Sequence, residues 1–110
     1  MKDKLSDKIA EVNRFLKELS GIIPPNYELY LDNIRDRAAC ERFFEKIVEA
    51  VVDLGFIIVK LKKLDIPSND REVFTILARK KIISSALALR LSEAKGMRNI
   101  LAHEYGKVND

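Results

Sequence analysis

The sequence has one histidine, one cysteine and no tryptophan. That scarcity excludes whole classes of chemistry. A single histidine and a single cysteine cannot assemble a His/Cys zinc site. Cys40 cannot form an internal disulfide, which fits a reducing compartment, and it reads as a small apolar side chain buried on a helix. No serine has a second histidine to activate it, and no glycine-rich stretch forms a phosphate-binding loop. The most apolar stretch, Ala50 to Val59, is interrupted by Asp53 and bounded by Glu49 and Lys60. It is far short of the roughly 20 apolar residues that cross a bilayer. The N-terminus, Met1-Lys2-Asp3-Lys4, runs straight into an amphipathic pattern with no signal-peptide character. A cytoplasmic protein with no membrane partner and no metal or other cofactor is expected. Charge of one sign is also in short supply: the net charge of +3 permits contact with RNA without arguing for it, and gives no reason to expect DNA.

What is present is helical. The 110 residues are 47% hydrophobic and 34% charged, a globular composition that suits one domain spanning 1–110. A domain of this size gains from oligomerisation, because its own core is small. Leu5, Ile9, Val12, Leu16 and Leu19 recur at helical steps, with Gly21 and then Pro24-Pro25 as the expected stop. Asn26 is a candidate cap for the next helix. From Tyr27 to Leu64 there is no proline, and one long central helix is expected. Past Phe43 its apolar stripe widens to most of the circumference, which predicts that part of it faces a second copy of the chain. Gly55 either weakens that helix or allows a close crossing. Pro67 lies in a short loop, and Asn69 with Glu72 has a capping-box spacing that opens a helix carrying Val73, Phe74, Ile76 and Leu77. After a turn over 79–83, Ser84 or Ser85 starts the last helix. Leu87, Leu91, Ala94, Met97 and Leu101 step along it, and Gly106 is expected to end it. The predicted class is all-α, an up-down bundle with a long central helix and a C-terminal helix that carries the chemistry.

That chemistry is concentrated in Met97-Arg98-Asn99-Ile100-Leu101-Ala102-His103-Glu104-Tyr105. Asn99 and His103, four apart, share a helix face. Arg98 and His103, five apart, diverge by about 140° on a straight helix. They meet only where the helix ends, through the reach of the arginine, or when two copies face each other about a two-fold axis. A histidine that exchanges protons near neutral pH and an arginine that grips a phosphate suit RNA cleavage by its own 2′-hydroxyl, without a metal. Glu104, the Lys60, Lys62, Lys63 group and the Arg79-Lys80-Lys81 run read as solvated faces. Asp53, an acid among apolar residues, must be paired or protonated if buried, and reads as a structural partner behind the site rather than a catalytic group.

The string from Arg98 and Asn99 to His103, with Tyr105 two residues beyond, resembles the motif of HEPN-domain nucleases, and of the HepT-like toxin subgroup above all. The similarity extends to Arg37-Ala38-Ala39-Cys40-Glu41-Arg42, to Asp53, and to the Pro67 loop with Phe74. The resemblance implies a homodimeric, metal-independent endoribonuclease toxin of a HepT/MNT-type toxin–antitoxin pair. Arg98, His103 and Asn99 would be its catalytic residues. Its partner would be a small MNT-type nucleotidyltransferase antitoxin that neutralises the toxin by attaching AMP to Tyr105. Chains of that family continue past the tyrosine into a further helix. This sequence stops at Asp110 and reads as a short or truncated member. Two other readings compete: a non-catalytic helical dimer that serves a nucleotidyltransferase as a binding or accessory module, and a purely structural dimer.

Overall fold

The computed structural model describes the backbone of residues 2–108 and the side chains of residues 3–100. Five helices occur in the order α1 (Lys2–Ile22), α2 (Tyr27–Asp32), α3 (Ile34–Leu61), α4 (Asp70–Arg79) and α5 (Ser85–Val108). No strand occurs among the described residues, as the helical periodicity predicts. α3 is the spine. α1 lies along one side of it, and α4 and α5 pack on the rest and on each other.

Three asparagines set the helix starts. The side chains of Asn26, Asn33 and Asn69 accept hydrogen bonds from the backbone N–H groups of Leu29, Asp36 and Glu72. Asn33 is where the structure departs from the sequence reading. The segment from Tyr27 to Leu64 is two helices, because Asn33 adopts an extended backbone and caps α3 anew. Gly21 does not end α1, which runs one residue further to Ile22 before the two prolines. Ser84 Oγ accepts from the Leu87 N–H, so α5 opens where expected. α3 and α4 both close with the paired backbone bonds of a Schellman turn. Leu64 N–H donates to Val59 O and Lys63 N–H to Lys60 O; Ile82 N–H donates to Leu77 O and Lys81 N–H to Ala78 O. The left-handed position in each turn is a lysine, Lys63 at φ 55° and Lys81 at φ 60°, where glycine is usual.

The core gathers Val52 and Val59 of α3, Val73, Phe74, Ile76 and Leu77 of α4, and Ala88 of α5. Gly55 is the point of closest approach: a Cβ there would overlap Val73 Cγ1. The glycine therefore allows the α3–α4 crossing. On the other side of the spine, Phe15 of α1 meets Phe43 of α3 edge to face at 6.4 Å.

Two expectations about apolar faces need correction. Beyond Ile34, no large apolar residue of α3 is fully exposed, because α1, α4 and α5 divide its circumference between them. The bare apolar surface lies instead on α5, at Leu87, Leu89, Met97 and Ile100, and near α2, at Ile23, Tyr27, Leu29 and Leu31. On α5 the inward face is thus not the predicted leucine stripe in full: Leu87 and Met97 point outward, while Ala88 and Lys95 are buried. No helix among the described residues is long and apolar enough to cross a membrane.

Candidate active site

The inward face of α5 turns polar toward its C-terminal half, and this is where the motif begins. Arg98 sits there with three-quarters of its side chain covered, and its Nη2 lies 3.6 Å from Glu49 Oε2 of α3. Its Nη1 donates to Asn99 Oδ1 at 3.2 Å. One turn back, Lys95 is almost fully buried. Its ammonium donates to the same Asn99 Oδ1 at 3.1 Å and pairs with Asp70 Oδ2, at the start of α4, at 3.2 Å. Glu49, Asp70, Lys95 and Arg98, with Val52, Asp53 and Phe56, line a polar pocket of about 150 Å³ between α3, α4 and α5. The Arg98 Nε–H is buried and finds no hydrogen-bond partner among the described residues. The lining sets three carboxylates against two cations, so an anion that engages this guanidinium has to displace the Glu49 carboxylate.

Asp53 differs from the sequence expectation. It is not a buried acid: its side chain is about half exposed. It lines the same pocket as Arg98 but makes its ion pair with Lys8 of α1, at 3.5 Å. Hydrogen bonding to Glu11 is the main cause that raises the Lys8 pKa, and the charge of Asp53 adds to it.

His103 and Tyr105 lie on α5, and their side chains fall outside the described residues. The helix itself answers one question left open by the sequence. It does not stop at Gly106 but runs on to Val108, since a glycine in a helix costs only about 1 kcal/mol against alanine. His103 therefore stays one turn after Asn99 on its face, and about 140° around the axis from Arg98. Tyr105, seven residues after Arg98, returns to within about 20° of the arginine's face and about 10 Å further along the axis.

Glu49, Asp70 and Lys95 were missed by the motif. Lys95 carries a signal that could have found it, since it stands four residues before Asn99 on one helix face. Glu49 and Asp70 come from other helices, and no spacing within the motif points to them. Cys40 is buried as expected, and burial, with Asp36 and Glu41 adding, pushes its thiol up.

The family model of "Ribonuclease HepT-like" proteins matches residues 7–110. The chain belongs to the HepT-like ribonuclease family. The mRNA nuclease HepT of Shewanella oneidensis is 28% identical over 110 residues, an alignment that takes in 99% of this chain and 81% of the relative. The tRNA nuclease HepT of Aphanizomenon flos-aquae is 24% identical over 105 residues, 96% of this chain and 71% of the relative. Among solved structures, the tri-AMPylated Shewanella oneidensis HEPN toxin in complex with MNT antitoxin superposes with a TM-score of 0.87 at 27% identity, over 96% of this chain and 78% of that one. A toxin–antitoxin complex with AMP-PNP superposes with a TM-score of 0.84 at 26% identity, over 92% of this chain and 76% of that one. This HepT-like chain therefore has an all-helical HEPN fold and the architecture of a family of nucleases.

Proposed function

We propose that this HepT-like protein is a metal-independent endoribonuclease toxin, with a catalytic site assembled from Arg98, Asn99 and His103 of two copies. The observation that carries the reading is Arg98 on the wall of a polar pocket, hydrogen-bonded to Asn99 beside it, in a chain whose relatives are nucleases of mRNA and tRNA. In the reaction, the 2′-oxygen of a ribose attacks the neighbouring phosphorus. The new P–O2′ bond forms as the P–O5′ bond breaks. One histidine takes the 2′-hydroxyl proton and a second, protonated, gives one to the departing 5′-oxygen, leaving a 2′,3′-cyclic phosphate and a free 5′-hydroxyl. Arg98 stabilises the charge that builds on the phosphate oxygens.

Two features support a homodimeric site. Because α5 stays helical through Val108, one chain holds Arg98 and His103 on divergent faces. And α5 exposes Leu89, Met97 and Ile100 to solvent. These three share one side of the helix, and the His103 position falls on the border between that side and Asn99. A second copy packed there would bring two histidines toward two arginines.

The tri-AMPylated toxin in complex with MNT antitoxin, and the toxin–antitoxin complex with AMP-PNP, support a nucleotidyltransferase antitoxin as the partner. Neutralisation would proceed by attack of the Tyr105 oxygen on the α-phosphorus of ATP, with pyrophosphate leaving. Tyr105 is in register with Arg98 on α5, so an attached adenylate phosphate would lie within reach of the guanidinium and compete with RNA for it. The test is to incubate the protein and the His103→Ala variant with mixed RNA in EDTA. Cleavage by the unsubstituted protein alone supports the assignment. Cleavage that survives the substitution removes His103 from the mechanism. An intact substrate with both, together with a tight complex with the transferase, would favour an accessory role.

A further inference from the structure

Lys95 lies outside the arginine–histidine motif, yet its environment ties it to the site. It is 8% exposed, and a lysine so buried needs partners for its charge. Asp70 supplies one at 3.2 Å. The other is Asn99 Oδ1 at 3.1 Å, the same oxygen that Arg98 Nη1 reaches at 3.2 Å. Two cationic donors converging on one end of a carboxamide settle which end it is. An NH2 group there would face two positive groups with nothing to accept, so the oxygen must turn inward. Asn99 itself is exposed, and among the described residues its Nδ2 hydrogens meet no acceptor, both of its bonds being to Oδ1.

We infer that Lys95 is a positioning residue for RNA cleavage: its ammonium, balanced by Asp70, locks the Asn99 carboxamide so that Nδ2 is presented as a donor to a non-bridging oxygen of the scissile phosphate. This rests on the nuclease reading above. Arg98 alone cannot impose the orientation, because its guanidinium is shared with Glu49 and must be free to engage the phosphate. Lys95 is tied down on a second helix through Asp70 and does not have to move. A donor fixed in advance is worth more in the transition state than one that must be ordered during the reaction.

The experiment compares the full chain with Lys95→Met, Lys95→Arg, Asn99→Ala and the Lys95→Met/Asn99→Ala double variant. It measures RNA cleavage in EDTA and the side-chain amide signals of Asn99 in ¹⁵N–¹H spectra. Methionine keeps most of the side-chain volume, and Asp70 is exposed enough to be solvated without its partner. The expected result is a fall in kcat of about ten- to hundredfold for Lys95→Met with KM changed less than about twofold, below the roughly hundred- to thousandfold that losing a transition-state donor outright costs, since the donor is unfixed and not removed. Lys95→Arg should recover most of that loss, and the methionine should add nothing on the Asn99→Ala background. If Lys95→Met slows Asn99→Ala as much as it slows the unsubstituted protein, the lysine does not act through Asn99 and the inference is overturned. The spectra separate this outcome from a failure of the nuclease reading. Even with no cleavage by any form, the two Asn99 amide protons should be well dispersed in the unsubstituted protein and collapse toward free-amide positions in Lys95→Met. Unchanged signals would overturn the inference whatever the activity.

Discussion

Arg98 Nη2 lies 3.6 Å from Glu49 Oε2, so the arginine that begins the motif is held by a carboxylate of the central helix, at the place where a phosphate would bind. Glu49 is the more exposed of the two, and an ion pair in such a position contributes at most about 1 kcal/mol to stability. Under the proposed function its larger effect is on binding, because RNA would have to take its place. Glu49→Gln should leave the melting temperature nearly unchanged and tighten RNA binding by about two- to fivefold at low salt, an advantage that shrinks as salt screens the difference. Fluorescence anisotropy with a labelled single strand at two salt concentrations measures this. Weaker binding by Glu49→Gln would mean that the carboxylate orients Arg98 rather than competing for it.

Gly55 makes a prediction in which two effects oppose each other. Alanine would gain about 1 kcal/mol of helix propensity. Its Cβ would overlap Val73 Cγ1, and Val73 is fully buried and β-branched, with no room to yield. Overpacking of this kind costs about 1–3 kcal/mol. Gly55→Ala should therefore be destabilising on balance, by on the order of 1 kcal/mol in urea unfolding. A more stable Gly55→Ala would show that α3 and α4 cross less tightly than described.

The lysines in the two Schellman turns predict the opposite sign for glycine. Lys63 and Lys81 hold a left-handed backbone that costs a side chain about 1–2 kcal/mol relative to glycine. After the entropy a glycine loses on folding, Lys63→Gly or Lys81→Gly should stabilise the fold by about 0.5–1 kcal/mol. The melting temperature of either variant is the check, and a decrease would contradict the turn geometry.

The start of α4 should respond to acid. Glu72 accepts the Ser68 backbone N–H at 2.9 Å, and that bond holds its carboxyl below the usual range. With the folded pKa depressed, the contribution is fully present above the unfolded pKa, about 4.3. It is lost as pH falls through the lower folded value. Amide exchange in the first turn of α4 should accelerate below about pH 4, and Glu72→Gln should flatten that acid-side dependence. Identical pH profiles for the two would show that the Glu72–Ser68 bond does not hold the start of α4.

Much of the fold was legible in the sequence, for reasons particular residues make plain. Asn26, Asn69 and Ser84 act as caps because a short polar side chain before an apolar period has few other uses. Val73, Phe74, Ile76 and Leu77 are buried as their spacing demands. Asn33 was missed because a mid-segment asparagine in a proline-free run carries no mark of an extended backbone until the chain is packed. The α5 faces were misassigned for a different reason. Its apolar residues are spread around the helix, and tertiary contacts chose Ala88 and Lys95 for the inside over Leu87 and Met97. The motif was readable as a string, but its supports were not: Glu49 and Asp70 approach Arg98 and Lys95 only through the fold.

Under the proposed function, Arg98, Asn99 and His103 cleave RNA through its own 2′-hydroxyl, and AMP on Tyr105 stops them. Its most direct test is to follow one defined RNA in EDTA with four preparations: the unsubstituted protein, Arg98→Ala, His103→Ala, and the unsubstituted protein after AMP attachment by an MNT-type transferase. The expected result is 2′,3′-cyclic phosphate ends from the first preparation and intact RNA from the other three. Cleavage by His103→Ala, or by the AMP-modified protein at the unmodified rate, would contradict it.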